Sequence, residues 1–278
     1  MKHSTYTFST HDGLQLFGQE WRPKSAAQAH VLMVHGLGEH SSRFGNLVVP
    51  MVEHGLWVHS FDLRGHGRSQ GRRGHIRAWS DFRKDLRARL RRLESEKRDL
   101  PLFLYGHSLG SLIVLEALIR EAVEPRGVIL SGVALDPDGI GNPLQIVAAQ
   151  LLSRLWPSFT LDTGLDTEMI SSDQKVVMVY EEDPLVHSKA TARFATESMH
   201  AIERINDNLD RIQPAMLLLH GGKDELTSLK GSERVMERLT VEDKELILYP
   251  EARHEPHNDR SQDAVSRDVI RWIMDRSD

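Results

Sequence analysis

The chain has 278 residues, 40% hydrophobic and 27% charged, with a net charge of −5 and no cysteine. Its length supports a large core; the missing cysteines exclude disulfides, thiolate catalysis and cysteine metal sites, and the mild acidity excludes a global basic field for nucleic acid. With no apolar leader in the first thirty residues and no later run of membrane-spanning length, the expectation is a cytoplasmic protein, at most peripheral to a membrane.

Thr5–Thr10 and Leu14–Trp21 flank His11-Asp12-Gly13 and predict a hairpin. Val31–Val34 predicts a short buried strand that runs into the loop His35-Gly36-Leu37-Gly38-Glu39-His40. His35 and His40 have no third ligand nearby in sequence, so no metal is expected there. Asn46–His54 predicts a helix and Leu56–Phe61 a strand, followed by the glycine-rich turn Asp62–Ser69. Arginine crowds the chain from Arg64 to Arg98. Trp79–Arg98 is nonetheless amphipathic, with Phe82, Leu86, Leu90 and Leu93 in one stripe and acids among the bases. This predicts a solvated helix face; the competing reading is a surface for anionic lipid. No aromatic platform interleaves with the charge, which argues against nucleic acid.

Leu102–Tyr105 predicts another strand, Gly106-His107-Ser108-Leu109-Gly110 follows, and Ser111–Ile119 is apolar on nearly every face, as a buried helix would be. Strand, G-x-S-x-G, helix is the setting of a nucleophile elbow. The turn must be sharp for the Ser108 hydroxyl to stand clear. Gly106 and Gly110 let strand and helix pass closely, and the helix N-terminus directs free N–H groups at whatever Ser108 attacks. On such a sheet the second oxyanion donor lies in the glycine-bearing loop after an earlier strand, so the backbone N–H groups of Leu37 and Leu109 are the candidate pair.

Gly127–Leu130 continues the strand–helix alternation, which predicts a mostly parallel central sheet with helices on both faces. The pattern breaks over 137–208, where helical segments such as Pro143–Leu155 and Ala190–Leu209 appear without a convincing buried strand. The expected organisation is an α/β core of residues 1–136 and 209–278 with 137–208 inserted as a helical cap. The cap's apolar first helix either packs as core or meets a greasy channel or a membrane surface. Strands resume at Met216–Leu219 and Glu245–Tyr249, with helices at Lys230–Leu239 and Asp263–Arg276.

A serine hydroxyl needs a base to take its proton and an acid to orient that base. On this fold type they follow the serine in chain order. Asp224 comes just after the strand Met216–Leu219, and His254 and His257 are the only histidines beyond it. The reading is Ser108 as nucleophile, His254 as base and then acid, and Asp224 as orienting acid, with Asp136 as rival acid.

At this point HGLGEHSSRF (35–44), DLRGHGRS (62–69), GHSLG (106–110), EEDPLVH (181–187), LLLHGGKD (217–224) and YPEARHE (249–255) resemble the α/β-hydrolases of the monoacylglycerol lipase and lysophospholipase group. The resemblance implies the α/β-hydrolase fold with a helical cap, no cofactor, and cleavage of a carboxylic ester such as a monoacylglycerol through an acyl-enzyme on Ser108. It places the triad on Ser108, Asp224 and His254 and the oxyanion hole on the Leu37 and Leu109 amides. It also implies that Glu39, Arg43 and His257 lie near the polar end of the substrate. Where the family often has smaller residues, this chain carries Glu251-Ala252-Arg253. The competing activities are lysophospholipase, thioesterase and short-chain carboxylesterase, all with the same triad; a fold relative that binds without turnover would usually lack part of it. The expected partner is a small ester or lipid, with transient membrane contact through the cap. Acyl length, head group and oligomeric state are left open.

Overall fold

Alternate residues of each central strand face opposite sides of one sheet, and both sides are covered. The computed structural model describes residues 1–96, 100–121, 123–135 and 143–277. Its strands in chain order are β1 (Lys2–Ser9), β2 (Gln15–Arg22), β3 (Ala29–Val34), β4 (Leu56–Phe61), β5 (Leu102–His107), β6 (Gly127–Ser131), β7 (Thr160–Asp162), β8 (Lys189–Thr191), β9 (Ala215–Gly221) and β10 (Lys244–Tyr249). The helices are α1 (Gly45–Glu53), α2 (Ser80–Glu96), α3 (Leu109–Arg120), α4 (Pro143–Leu155), α5 (Gln174–Glu182), α6 (Ala192–Asn206), α7 (Leu229–Arg238) and α8 (Gln262–Met274).

Eight strands form the sheet in the order β1-β2-β4-β3-β5-β6-β9-β10. The β1–β2 and β2–β4 pairings are antiparallel; every pairing from β4 to β10 is parallel. Leu32, Leu104, Leu130 and Leu218 point to the face covered by α2 and α3. Their neighbours Met33, Tyr105, Ile129 and Leu219 point to the face covered by α1 and α8. Burial on both faces is why these strands read as continuous apolar runs. Parallel strands all end at one edge, and the loops after β3, β5, β9 and β10 meet there.

Between β6 and β9 the described chain holds α4, α5, α6 and an antiparallel ribbon of β7 and β8. The ribbon is not apparent in the sequence, because three-residue strands with little burial leave no periodic signal. Helix α6 packs on the sheet unit: Phe194, Ile202 and Ile205 share the core of α2 and α3.

The arginine-rich helix α2 presents the expected solvated face, with Lys84, Arg91 and Arg92 exposed, but the stretch also holds buried arginines. The stripe of Phe82, Leu86, Leu90 and Leu93 is buried as expected, but Arg64 and Arg89 are buried too. Arg64 forms a fork on Asp85, with donor–acceptor distances of 2.6 and 2.8 Å, and reaches Asp12 in the first hairpin turn at 3.1 and 3.2 Å. Arg89 reaches the His59 ring at 2.8 Å. Sequence charge counts do not reveal such pairs, because each joins residues from different elements.

Candidate active site

The turn after β5 forces Ser108 into an unusual backbone conformation, φ 50° and ψ −116°. Among the described residues it is the only non-glycine with positive φ. Two neighbouring glycines permit the turn. A Cβ on Gly106 would lie 2.7 Å from the Gly110 carbonyl oxygen, and a Cβ on Gly110 would lie 2.1 Å from that of Val34. The elbow is anchored by Ser108 N–H donating to the Ser131 carbonyl at 2.9 Å, and by the Ser111 hydroxyl donating to the Ser108 carbonyl at 2.6 Å. Ser108 stands at the N-cap position of α3 with its side chain unused for capping, next to the first helix N–H groups, which have no partner within the helix.

Asp224 lies after β9, in a turn that encloses its carboxylate. Leu226 and Thr227 N–H donate to Oδ1, both at 2.9 Å, and the Thr227 hydroxyl donates to Oδ2 at 2.7 Å. His254, in the loop after β10, approaches the same Oδ2 through Nδ1 at 2.8 Å. The two loops interleave closely because Gly221 and Gly222 lack side chains; a Cβ on Gly221 would sit 2.0 Å from the Arg253 carbonyl oxygen. A carboxylate at Nδ1 assigns the proton to that nitrogen and leaves Nε2 as the free base. Burial alone would lower the His254 pKa, but the Asp224 charge and hydrogen bond outweigh it and raise it. Burial pushes the Asp224 carboxyl up, yet His254 and the Thr227 hydrogen bonds bring it down to about 2.

Ser108 and His254 line one cavity of about 320 Å³, together with Leu37 and Leu109. No hydrogen bond joins the Ser108 hydroxyl to His254 in this structure, and such contacts often tighten only when substrate binds. The remaining walls are mostly apolar, among them Leu112, Leu165, Ile170, Phe194 and Ile202. Glu39 and Glu255 supply the acidic part.

Of the three residues expected near a polar end, Glu39 lines the cavity, and Arg43 pairs with it from outside the lining. Glu39 is buried, accepts the Gly36 N–H at 2.6 Å and lies 3.4 Å from Arg43. Burial, reinforced by the charge of Glu255, pushes its carboxyl up to about 7. Arg43 donates to Glu255 at 2.6 Å and lies over the Tyr180 ring, 4.5 Å from its centroid. Burial would raise the Glu255 carboxyl, but Arg43 holds it below the usual range. His257 lies outside the cavity lining, fully buried and stacked on Phe44 at 5.1 Å. Asp136 lies outside the described residues.

Sequence reasoning missed Glu255, Asn258 and Tyr180. Asn258 bonds Glu255 at 2.8 Å and the Arg43 carbonyl at 3.3 Å. The signal was local for Glu255, which adjoins His254, and absent for Tyr180. Glu251 and Arg253 are absent from the cavity lining: Glu251 pairs with Lys223 at 2.5 Å, and Arg253 donates to the Glu168 carbonyl.

The segment between β6 and β9 touches both site loops, chiefly through backbone. His187 N–H donates to the Gly38 carbonyl at 2.9 Å, and the His40 ring meets Asp183 at 2.8 Å. On the other side, His254 and Glu255 N–H donate to the carbonyls of Met169 and Ile170 at 3.3 and 2.9 Å. Among the described residues, one trio has metal-ligand spacing: Glu39, His107 and Glu255 hold potential ligand atoms within 4.8 Å of one another. Arg43 already supplies positive charge to both carboxylates.

A family model described as serine aminopeptidase, S33, matches residues 25–261. The monoacylglycerol lipase of Mycolicibacterium smegmatis is 32% identical over 273 residues, 98% of this chain and 97% of that protein. An uncharacterized abhydrolase domain-containing protein of Dictyostelium discoideum is 32% identical over 278 residues, which are 99% of this chain and 29% of that protein's length. Among solved structures, a soluble variant of monoglyceride lipase from Saccharomyces cerevisiae in complex with a substrate analog matches with a TM-score of 0.89 and 26% identity, over 99% of this chain and 95% of that one.

Proposed function

Because the chain belongs to the serine aminopeptidase S33 family of α/β-hydrolases, we propose that it hydrolyses carboxylic esters of the monoacylglycerol type through an acyl-enzyme on Ser108. The observation that carries this reading is the cavity itself: largely apolar walls for an acyl chain, Ser108 and His254 on its surface, and acidic groups at Glu39 and Glu255.

In this mechanism the Ser108 hydroxyl gives its proton to His254 Nε2 as its oxygen attacks the ester carbonyl. The Leu37 and Leu109 N–H groups receive the oxyanion that forms, and such preorganised donors are worth roughly 10²–10³ in rate each. His254 then protonates the departing alcohol, leaving acyl-Ser108. Water repeats the sequence: its proton goes to His254, its oxygen to the acyl carbon, and His254 returns a proton to Ser108. Asp224 holds the imidazole tautomer and stabilises the imidazolium. Glu39 addresses the hydroxyls of the alcohol part, Arg43 acts on them through its ion pairs with Glu39 and Glu255, and His257 packs against Phe44. Residues 137–208 act as the cap over this site. The exposed Leu151, Leu155 and Trp156 at the end of α4 rest transiently on a lipid surface.

The test is kcat/KM for a monoacylglycerol, the matching lysophospholipid, a short nitrophenyl ester and an aminoacyl arylamide, with Ser108→Ala as control. A monoacylglycerol preference of roughly 100-fold, lost by roughly 10⁴-fold in Ser108→Ala, supports the reading. A faster short ester would make it a small-ester esterase, and a faster arylamide a peptidase.

A further inference from the structure

The cavity lining runs from exposed to buried residues: Thr163 is exposed and Leu165 half-buried, whereas Leu112, Phe194 and Ile202 are buried. Phe194, Ser198 and Ile202 are spaced four residues apart on α6, so they form one stripe facing the cavity. The stripe is large, small, large. The Ser198 hydroxyl donates to the Phe194 carbonyl of its own helix at 2.8 Å, which satisfies it and leaves a shallow notch between two bulky neighbours.

This wall is held in place. The Phe194 ring meets Phe82 edge-on at 6.3 Å, and Phe82 meets Trp79 edge-on at 5.6 Å, so the stripe leans on the first turn of α2. The Glu197 carboxylate accepts the Trp79 N–H at 2.8 Å and ties α6 to the same point. A wall braced by aromatic contacts in a packed core does not recede for a longer substrate.

We infer that the Phe194–Ser198–Ile202 stripe of α6 is a ruler that sets the acyl chain length this enzyme accepts, and that its substrates are medium-chain esters. The inference rests on the ester-hydrolase reading above. A cavity of about 150 Å³ holds benzene. About 320 Å³ therefore holds roughly a dozen carbon-sized groups. Leaving part of that space to the alcohol side of the ester, an acyl chain of roughly 8–10 carbons fills the rest and ends against α6. Each methylene that enters apolar surroundings raises kcat/KM by roughly threefold to fourfold. Once the wall is reached the gain stops, so the plot of log kcat/KM against chain length has a break.

The experiment measures that break with 1-monoacylglycerols of 4 to 18 carbons on the purified enzyme and two variants. Ser198→Leu fills the notch, and the break moves to shorter chains, with the ratio of 12-carbon to 4-carbon kcat/KM falling at least tenfold. Phe194→Ala opens the wall, and the break moves outward by roughly two to four carbons, partial collapse limiting the gain. Opposite shifts support the ruler, and Ser198→Leu decides the question alone if Phe194→Ala does not fold. If both variants keep the wild-type break while rates scale equally at all lengths, the stripe is only structural and the inference fails. If the wild type shows no Ser108-dependent hydrolysis at any length, the ester-hydrolase reading fails first.

Discussion

Ser108 occupies a backbone region that costs a non-glycine residue roughly 1–3 kcal/mol, and neighbouring elements hold it there. The same over-determination governs its partners. Asp224 takes four hydrogen bonds before any substrate arrives, which is why its carboxyl stays charged despite burial. The sign of the pH dependence follows. A base works only when deprotonated, and the His254 pKa is raised above 6.5. The acid limb of kcat/KM should therefore have its midpoint above 6.5. Asp224→Asn removes the cause of that shift, so the midpoint moves down while the rate drops by roughly 10⁴-fold; a pH–rate profile of both proteins checks it. Stability moves in two windows. The raised His254 pKa stabilises the fold below 6.5 and the benefit is lost as pH rises through its folded value. The lowered Asp224 pKa stabilises above 3.8 and that benefit is lost as pH falls toward 2.

At the scale of elements, the sheet was legible because buried strands and amphipathic helices carry strong periodicity; β4 and α4 begin and end where the pattern predicts. The site was legible where its residues lie in one short motif. It was not legible where a pair spans elements: Arg43 and Glu255 are 212 residues apart, and His40 and Asp183 are 143 apart. No local rule connects such residues, since the fold alone brings them together. The glycines give a sharp test of element packing. Gly110→Ala places a methyl against the Val34 carbonyl, a backbone atom that cannot swing away. It should destabilise by roughly 1–3 kcal/mol and reduce kcat, because the elbow itself must shift. Gly45, at the start of α1, has helical φ and ψ of −52° and −39° and nothing within 4 Å of its ideal Cβ. Gly45→Ala should stabilise by roughly 0.4–1 kcal/mol. Thermal unfolding of both variants reads the contrast.

Across the whole molecule, no helix among the described residues is long and apolar enough to cross a membrane, yet α4 ends in exposed Leu151, Leu155 and Trp156. If that end rests on lipid, replacing Leu155 and Trp156 by serine should weaken cosedimentation with phospholipid vesicles at least tenfold, since each large apolar side chain contributes roughly 1.5–3 kcal/mol when buried. Equal sedimentation would remove the membrane role. The backbone seam described above has a different bearing. Gly38 on one catalytic loop and His254 and Glu255 on the other are bonded to main-chain groups at 187, 169 and 170. Main-chain bonds are indifferent to side-chain identity, so the spacing of these donors and acceptors, rather than the residues at 169, 170 and 187, is what holds the seam together. The segment is thus a replaceable module with a fixed plug. A donor segment from another hydrolase would bring its own acyl preference intact only if its three attachment points fall in the same register. A graft one residue out of step would lose both loops at once and with them the chemistry.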